Sequence, residues 1–235
     1  KQSVLLPSEA KVVRLNIEKK GQRVAYIQGA GDQIPESLRQ IGYTVLEMKE
    51  DQISADNLQS FDAVILGIRA YNVNERAKYY QNDLHKYVAN GGTLMVQYNT
   101  SRSQVVESVA PYELKLSRDR VTDENSEVSI LNPDHEVMSY PNKITKDDFK
   151  GWVQERGLYF PNEWSEEFVP LLAMNDQGEE EKKGSLLVAK YGKGHFIYTG
   201  LSFFRELPAG VPGAYRIFAN LLSVGKNDLE QTLKN

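Results

Sequence analysis

The chain has 235 residues, which is enough for one large α/β domain with a sizeable buried core. Its net charge of -4, its sequence pI near 5.6 and the lack of any cluster of five basic residues argue against nucleic acid as a partner. Cysteine is absent, which excludes disulfides, a cysteine nucleophile and thiolate metal ligands, and no apolar run approaches the roughly 20 residues that span a bilayer.

Residues 1–20 are predicted to be a linker or the end of a preceding domain, because their apolar residues alternate only weakly. Because the chain begins at a lysine, we expect it to be a piece of a longer protein, so the lack of a signal peptide in its first residues says nothing about where that protein is located. Residues 21–226 are predicted to form one α/β domain in which residues 101–170 are an inserted, elaborated region, and residues 227–235 a polar tail.

The domain begins with a strand predicted at residues 24–28, a glycine turn at residues 29–32 and a helix at residues 34–41. A glycine turn between a strand and a helix resembles a phosphate cradle, because exposed amides at a helix start favour anions. The full G-x-G-x-x-G spacing is missing, however, and Asp32 puts a negative charge where a phosphate would lie. The sequence therefore favours a structural turn here.

A βαβ unit occupies residues 61–100. Residues 63–68 and 93–96 are short, continuous apolar runs, which are typical of interior strands in a parallel sheet. Residues 75–89 carry apolar side chains at three- and four-residue spacing, which predicts a helix lying on that sheet. With a strand at residues 43–48 before it, the unit predicts a flavodoxin-like, mainly parallel α/β sheet with helices on both faces.

Polar side chains follow both central strands, and in open parallel sheets ligands bind beyond the carboxyl ends of the strands. The two loops are therefore predicted to form a ligand site, to which aromatic and charged residues further along the chain contribute. Aromatic rings, amides and guanidinium groups suit sugar hydroxyls. The predicted ligand-binding residues are Arg69, Tyr71, Asn72, Gln97, Tyr98, Asn99, Trp152, Glu155, Tyr159 and Arg205.

The remainder of the chain is less regular. Three valines on one face predict a helix at residues 101–109, and the polar, aromatic stretch that follows is expected to fold over the carboxyl edge of the sheet. The later elements are predicted to be a short strand at residues 128–131, antiparallel strands at residues 170–174, 186–190 and 195–199, and a helix at residues 213–224.

Two carboxylates are candidates for catalysis. Glu155 lies near Trp152 and Tyr159, Asp119 lies between two arginines, and a glycosidase needs two carboxyl groups across a sugar bond. A structural alternative stays open, because neighbouring arginines form bidentate pairs with carboxylates readily. In that alternative Arg118, Arg120 and Arg156 pair with Asp119, Glu124 and Glu155.

The three histidines give little support to a metal site, because none has a second histidine at short spacing. Asn132-Pro133-Asp134-His135 presents an acid and an imidazole together, which would suit half of an acid/base site, but the same sequence is also a strong turn. No serine lies in a G-x-S-x-G turn, so nucleophilic catalysis is not predicted.

Several blocks occur in order: residues 67–72, 91–100, 116–122, 151–161 and 200–213. With them the chain resembles the C-terminal domain of bacterial PIG-L (LmbE-like) deacetylases, a region similar to class I glutamine amidotransferase-like and ThuA-like domains, over residues 20–224. The resemblance implies a flavodoxin-like fold. The elbow of active amidotransferases carries a cysteine that is missing here, so glutaminase activity is not implied.

The resemblance also implies that the catalytic zinc belongs to a separate N-terminal deacetylase domain of the same polypeptide, with no cofactor in this segment, since an A-H-P-D-D-type motif is missing. It implies a periplasmic or extracellular location. The predicted function is a non-catalytic accessory module of a zinc-dependent carbohydrate N-deacetylase, which binds a glycan or docks on the catalytic domain. The alternatives are an independent hydrolase that uses Glu155 with Asp119 or with Asp134 and His135, and a purely structural domain.

Overall fold

A seven-stranded sheet with helices on both faces forms the centre of the computed structural model, which describes residues 12–227. The strands are β1 (Arg23–Ile27), β2 (Thr44–Met48), β3 (Ala63–Leu66), β4 (Thr93–Gln97), β5 (Leu114–Val121), β6 (Val128–Ile130), β7 (Gly157–Trp164), β8 (Phe168–Pro170), β9 (Leu172–Met174), β10 (Leu186–Tyr191) and β11 (Gly194–Thr199). The α-helices are α1 (Ile34–Gln40), α2 (Ala55–Leu58), α3 (Ala70–Val73), α4 (Ala77–Ala89), α5 (Glu136–Ser139), α6 (Phe203–Glu206) and α7 (Pro212–Ser223).

The strand order in the central sheet is β2-β1-β3-β4-β11-β10-β8. The first five strands are parallel, and β10 and β8 extend the sheet in antiparallel fashion. This arrangement confirms the predicted flavodoxin-like fold. Because β3 and β4 are neighbours and parallel, their carboxyl ends reach the same edge of the sheet.

Two apolar layers cover the sheet, because successive residues of each strand point to opposite faces. In β1, Val24 and Tyr26 face the layer that contains α1 and α7, whereas Ala25 and Ile27 face the layer that contains α2 and α4. The apolar face of α4 that the spacing predicted is buried there. No helix within residues 12–227 has both the length and the apolar character that crossing a bilayer requires.

The elaborated region contains more strand than the sequence indicated. β5 and β7 pair along eight residues each as a separate antiparallel ribbon, and β6 pairs with β9. The predicted strand at residues 170–174 is divided at Leu171, because β8 continues the central sheet while β9 leaves it to join β6.

The predicted helix at residues 101–109 is wrong, since this segment is irregular. Hydroxyl side chains satisfy the backbone locally: Thr100 Oγ1 donates to the carbonyl of Arg102 at 2.9 Å, and Ser108 Oγ to that of Ala110 at 2.9 Å. Such side-chain bonds compete with helical ones. Ser103 also has a left-handed backbone, with φ of 58°.

Residues 12–20, the described part of the predicted linker, lie against the domain without forming a helix or strand. Leu15 and Ile17 pack on the core, and the backbone amide of Glu18 donates to Asn142 Oδ1 at 2.8 Å. Residues 1–11 and 228–235, which include nearly all of the predicted tail, lie outside the described residues.

Candidate ligand site at the carboxyl edge of the sheet

The loops that follow β3 and β4 lie side by side. The backbone amide of Arg69 donates to the carbonyl of Tyr98 at 2.8 Å. Asn72 and Thr100 exchange bonds, since the amide of Thr100 donates to Asn72 Oδ1 at 2.8 Å and Asn72 Nδ2 donates to the carbonyl of Thr100 at 3.4 Å. The two polar loops therefore form one continuous surface.

Three of the predicted ligand-binding side chains lie beneath this surface. Tyr71, Gln97 and Asn99 are buried, with at most 1% of their surface exposed. Asn99 Oδ1 accepts the amide of Tyr71 at 2.9 Å, and Asn99 Nδ2 donates to the carbonyl of Gln97 at 2.9 Å. The side chain of Asn99 therefore joins the two loops, and none of the three side chains is presented to solvent.

The glycine turn after β1 is in contact with the backbone of the loop after β3, which leaves no space for a ligand between them. A Cβ on Gly29 would lie 2.1 Å from the carbonyl oxygen of Ile68, so the two loops touch through backbone. The carboxylate of Asp32 accepts the amide of Ile34 at 3.0 Å and the hydroxyl of Tyr26 at 2.5 Å. An acidic side chain of the protein thus occupies the position that a bound phosphate would take.

An aromatic cluster covers the loop after β4. Tyr159 of β7 stacks on Tyr98, with ring centroids 6.0 Å apart and an angle of 8° between the planes. Phe204 of α6 lies on Tyr98 as well, at 5.4 Å. Tyr198 Oη donates to the carbonyl of Tyr159 at 3.2 Å and so fixes the ribbon to the central sheet. Tyr98 is 8% exposed, whereas Tyr159 and Phe204 are only partly buried and offer surface to a ligand.

Charged groups surround this cluster. Arg205 Nε donates to Glu155 Oε1 at 2.9 Å, and the guanidinium of Arg205 lies 4.8 Å from the centre of the Phe204 ring. Burial raises the pKa of Tyr98, and the positive charges of Arg69 and Arg205 oppose that rise. Four predicted site residues, Arg69, Tyr98, Glu155 and Arg205, are therefore close enough to influence one another.

Backbone strain is concentrated at this site. Arg69 and Tyr159 have left-handed backbones, with φ of 57° and 53°, which cost a residue other than glycine about 1–2 kcal/mol each. Tyr159 is the extra residue of a β-bulge, since Asp119 pairs with Phe160 and Arg120 with Leu158. Bulges re-aim side chains and are frequent beside binding sites. Here the bulge directs the tyrosine ring onto Tyr98.

An open pocket of about 470 Å³ lies beside Tyr159. It is lined by Arg118, Arg120, Leu158 and Tyr159, so its lining includes two arginine side chains and an aromatic ring. Its volume falls within the range of about 300–1,000 Å³ that is common for small-molecule sites. Neither arginine was among the ligand-binding residues predicted from the sequence.

The arginine–carboxylate pairing considered as a structural alternative is wrong. Among the described residues, neither Arg118 nor Arg120 forms an ion pair, and Glu155 pairs with Arg205. Adjacent strand residues point to opposite faces, so Asp119 lines a different hollow together with Trp164.

Arg156 is buried and donates to the backbone carbonyls of Ser126 and Phe149. It therefore braces the elaborated region through backbone carbonyls, and no described carboxylate lies within ion-pair distance of it.

Trp152 belongs to the core and not to the ligand surface. It is 3% exposed, its Nε1 donates to the carbonyl of Asp148 at 3.0 Å, and its ring packs against Phe149 and Phe203. The sequence prediction treated it as a stacking platform because a tryptophan near polar residues is typical of a sugar site. Its two aromatic neighbours are instead parts of the apolar layer around α7.

The candidate catalytic residues are not assembled. His135 Nδ1 accepts the amide of Val137 at 3.2 Å and caps α5. Burial lowers the pKa of His135, and so does the nearby His195, which pairs with Thr93 at the start of β4. His135 therefore lies at the amino edge of the sheet, opposite to Glu155. Within residues 12–227 no group of three or more histidine and acidic side chains could hold a metal ion.

One buried acidic residue near the site was not predicted from the sequence. Glu206, at the end of α6, is fully buried; its carboxylate accepts the amide of Val153 at 2.9 Å and lies 3.2 Å from Ser202 Oγ. Burial raises the pKa of Glu206 to about 7, although Arg156 and Arg205 act in the opposite direction. This acid links α6 to the segment that carries Glu155, and nothing in the sequence near it indicated burial.

No protein-family model matches the sequence, and no curated protein matches it significantly. Solved structures share the fold at low identity. A ThuA-like protein from Bacteroides uniformis ATCC 8492 has a TM-score of 0.57 at 11% identity, over 93% of this chain and 96% of that one. A protein from Thermoplasma acidophilum that is described as a candidate GMP synthase component has a TM-score of 0.54 at 9% identity, over 91% and 100%.

A Salmonella typhimurium LT2 protein described as cytoplasmic has a TM-score of 0.56 at 12% identity, over 86% of this chain and 98% of that one. The fold is the one that ThuA-like and glutamine amidotransferase-like proteins share. At these identities the likeness extends to the ThuA-like fold alone. The parent deacetylase stays a prediction from the resemblance of the sequence.

Proposed function

We propose that this ThuA-like domain is a non-catalytic glycan-binding module of a zinc-dependent carbohydrate N-deacetylase. In this proposal the zinc is held by a separate catalytic domain of the same polypeptide, on which the module can also dock, and the parent acts in the periplasm or outside the cell. The observation that carries the glycan-binding role is the Tyr98–Tyr159 stack beside an open pocket of about 470 Å³. Flat aromatic surface next to convergent polar groups is what a sugar ring requires.

The dispersed positions of the acids and histidine support a non-catalytic role. Glu155 is bound to Arg205, Asp119 faces another hollow, and His135 lies at the opposite edge of the sheet. A glycosidase needs two carboxyl groups that face each other across one bond. The independent hydrolase is therefore the weaker alternative.

The purely structural alternative draws support from the buried loop residues Tyr71, Gln97 and Asn99. It differs from the glycan-binding proposal in one measurable respect, because a structural domain has no ligand. The partly exposed rings of Tyr159 and Phe204 and the unpaired arginines of the pocket favour binding over this alternative.

Isothermal titration calorimetry of the 235-residue chain with a panel of neutral and acidic amino-sugar oligomers tests the proposal. We expect saturable binding that Tyr159→Ala weakens about tenfold or more, because a stacked ring contributes about 1–3 kcal/mol with its buried area. Tyr79→Ala is the matched control, since Tyr79 is 69% exposed on α4 and lies outside the site. Absence of heat with every oligomer would favour the structural alternative.

A further inference from the structure

Two arginine side chains face the pocket beside Tyr159 without a carboxylate partner. Arg118 and Arg120 are exposed, line the same pocket, and form no ion pair with any residue from 12 to 227. The chain is net acidic, with 32 Asp and Glu against 28 Lys and Arg, so a shortage of acidic partners does not explain this. Other arginines of the domain do pair with acids, as Arg39, Arg76, Arg205 and Arg216 show.

The backbone of the ribbon keeps these two arginines away from the acid between them. The register of β5 against β7 shifts on both sides of Asp119, and Arg118 lies in the first of these irregularities. Ser117 stabilises the shift, since its hydroxyl donates to the carbonyl of Phe160 at 2.7 Å and accepts the amide of Asp119 at 2.9 Å. Asp119 itself lines a different hollow, on the other face of the strand.

A third positive group lies close to the Tyr98–Tyr159 stack. Arg69 Nε is buried and donates no hydrogen bond within the described residues, and the charge of Arg69 acts on the pKa of Tyr98. A buried donor without an acceptor is costly, by about 1–3 kcal/mol, unless a ligand or water supplies the acceptor. The site thus has more hydrogen-bond donors and positive charge than its own acids satisfy.

We propose that Arg118 and Arg120 form a subsite for the carboxylate of an acidic sugar, so that the module binds a uronic-acid-containing glycan in preference to a neutral one. A guanidinium group binds a carboxylate through two parallel hydrogen bonds, and Tyr159 offers a flat face to the adjoining ring. This inference rests on the proposed glycan-binding function and adds the class of sugar. A nucleic acid fits less well, because two arginines on a net acidic chain neutralise few phosphates.

Calorimetry with matched ligands tests the subsite on the 235-residue chain. The probes are a hyaluronan tetrasaccharide and tetragalacturonate, each compared with its own methyl ester, which removes the charge and keeps the sugar. We expect each acid that binds to do so about tenfold more tightly than its ester, because a hydrogen bond to a charged group is stronger than a neutral one. Higher salt should reduce the preference.

The variants locate the effect. Arg118→Ala and Arg120→Ala should each remove most of the preference for the acid, so that affinity for the acid falls much more than affinity for its ester. Arg118→Lys should retain only part of it, since lysine keeps the charge without the planar fork. Arg23→Ala is the control, because Arg23 is an exposed arginine at the amino edge of β1. Circular dichroism shows whether each variant is folded.

The possible results distinguish a failure of the acidic-sugar subsite from a failure of the proposed glycan-binding function. Equal affinity for acid and ester, or a preference that survives both alanine substitutions, overturns the acidic-sugar subsite and leaves glycan binding intact. No binding of any oligosaccharide, neutral or acidic, overturns the proposed function and the subsite together.

Discussion

Glu206 gives the sharpest test of the electrostatics of this domain. Its side chain is fully buried and its pKa is raised from 4.5 to about 7, chiefly by burial. In the unfolded chain the same carboxyl titrates near its ordinary value. The change to make is Glu206→Gln, because glutamine is similar in shape to the protonated acid, accepts the amide of Val153 and donates to Ser202 Oγ.

The sign of the effect follows from proton binding. Between pH 4.5 and about 7 the folded state holds the Glu206 proton more often than the unfolded state does, so the free energy of unfolding falls as the pH rises. One pKa unit corresponds to about 1.4 kcal/mol, which gives about 3 kcal/mol across the window. Glutamine does not titrate, so this loss is missing in the variant.

Urea unfolding of the wild type and of Glu206→Gln at pH 5 and pH 8 measures the difference. We expect nearly equal free energies of unfolding at pH 5 and a variant about 3 kcal/mol more stable at pH 8. All other titrating groups are common to both proteins and cancel. A difference in the free energy of unfolding between the two proteins that is the same at both pH values would refute the reasoning.

Three further substitutions test packing. Arg156→Met should lower the free energy of unfolding in urea by about 3 kcal/mol or more, because it orphans the buried carbonyl that the guanidinium binds on Phe149; an unchanged midpoint would contradict this. Gly29→Ala should cost about 3 kcal/mol or more in thermal unfolding, because its Cβ would meet the Ile68 carbonyl at 2.1 Å; a melting temperature equal to wild type would show that the loops can separate. Tyr159→Gly should change the free energy of unfolding by only about 1 kcal/mol, because relief of the left-handed backbone offsets the lost ring stacking. Calorimetry should nevertheless show weaker ligand binding. Binding as tight as in the wild type would place the ligand elsewhere.

The central fold could be predicted because its signals are local. The runs at residues 63–66 and 94–96 are apolar throughout, and α4 repeats its apolar positions within one helix. Each element is recognisable without its partners. The βαβ order of these elements is compatible with few topologies, so a parallel sheet could be predicted from it.

The β5–β7 ribbon could not be predicted in the same way. Its strands are separated by more than thirty residues of chain, and register shifts at Leu116, Asp119 and Arg120 break the alternation that marks a strand. The site depended on this ribbon, because Tyr159, Arg118 and Arg120 all lie on it. The sequence also did not indicate which aromatic residues are buried. Trp152 lies in the core and Tyr159 is partly exposed, although both belong to the same polar stretch of sequence.

The contact between Gly29 and the carbonyl of Ile68 has a consequence for how this protein is compared with others. In sheets of this order the groove between the first and third strands is the usual place for a cofactor, and here main-chain atoms fill it. A role transferred from a structural neighbour that binds its ligand in that groove would therefore be assigned to a place where backbone of the first and third loops is already in contact.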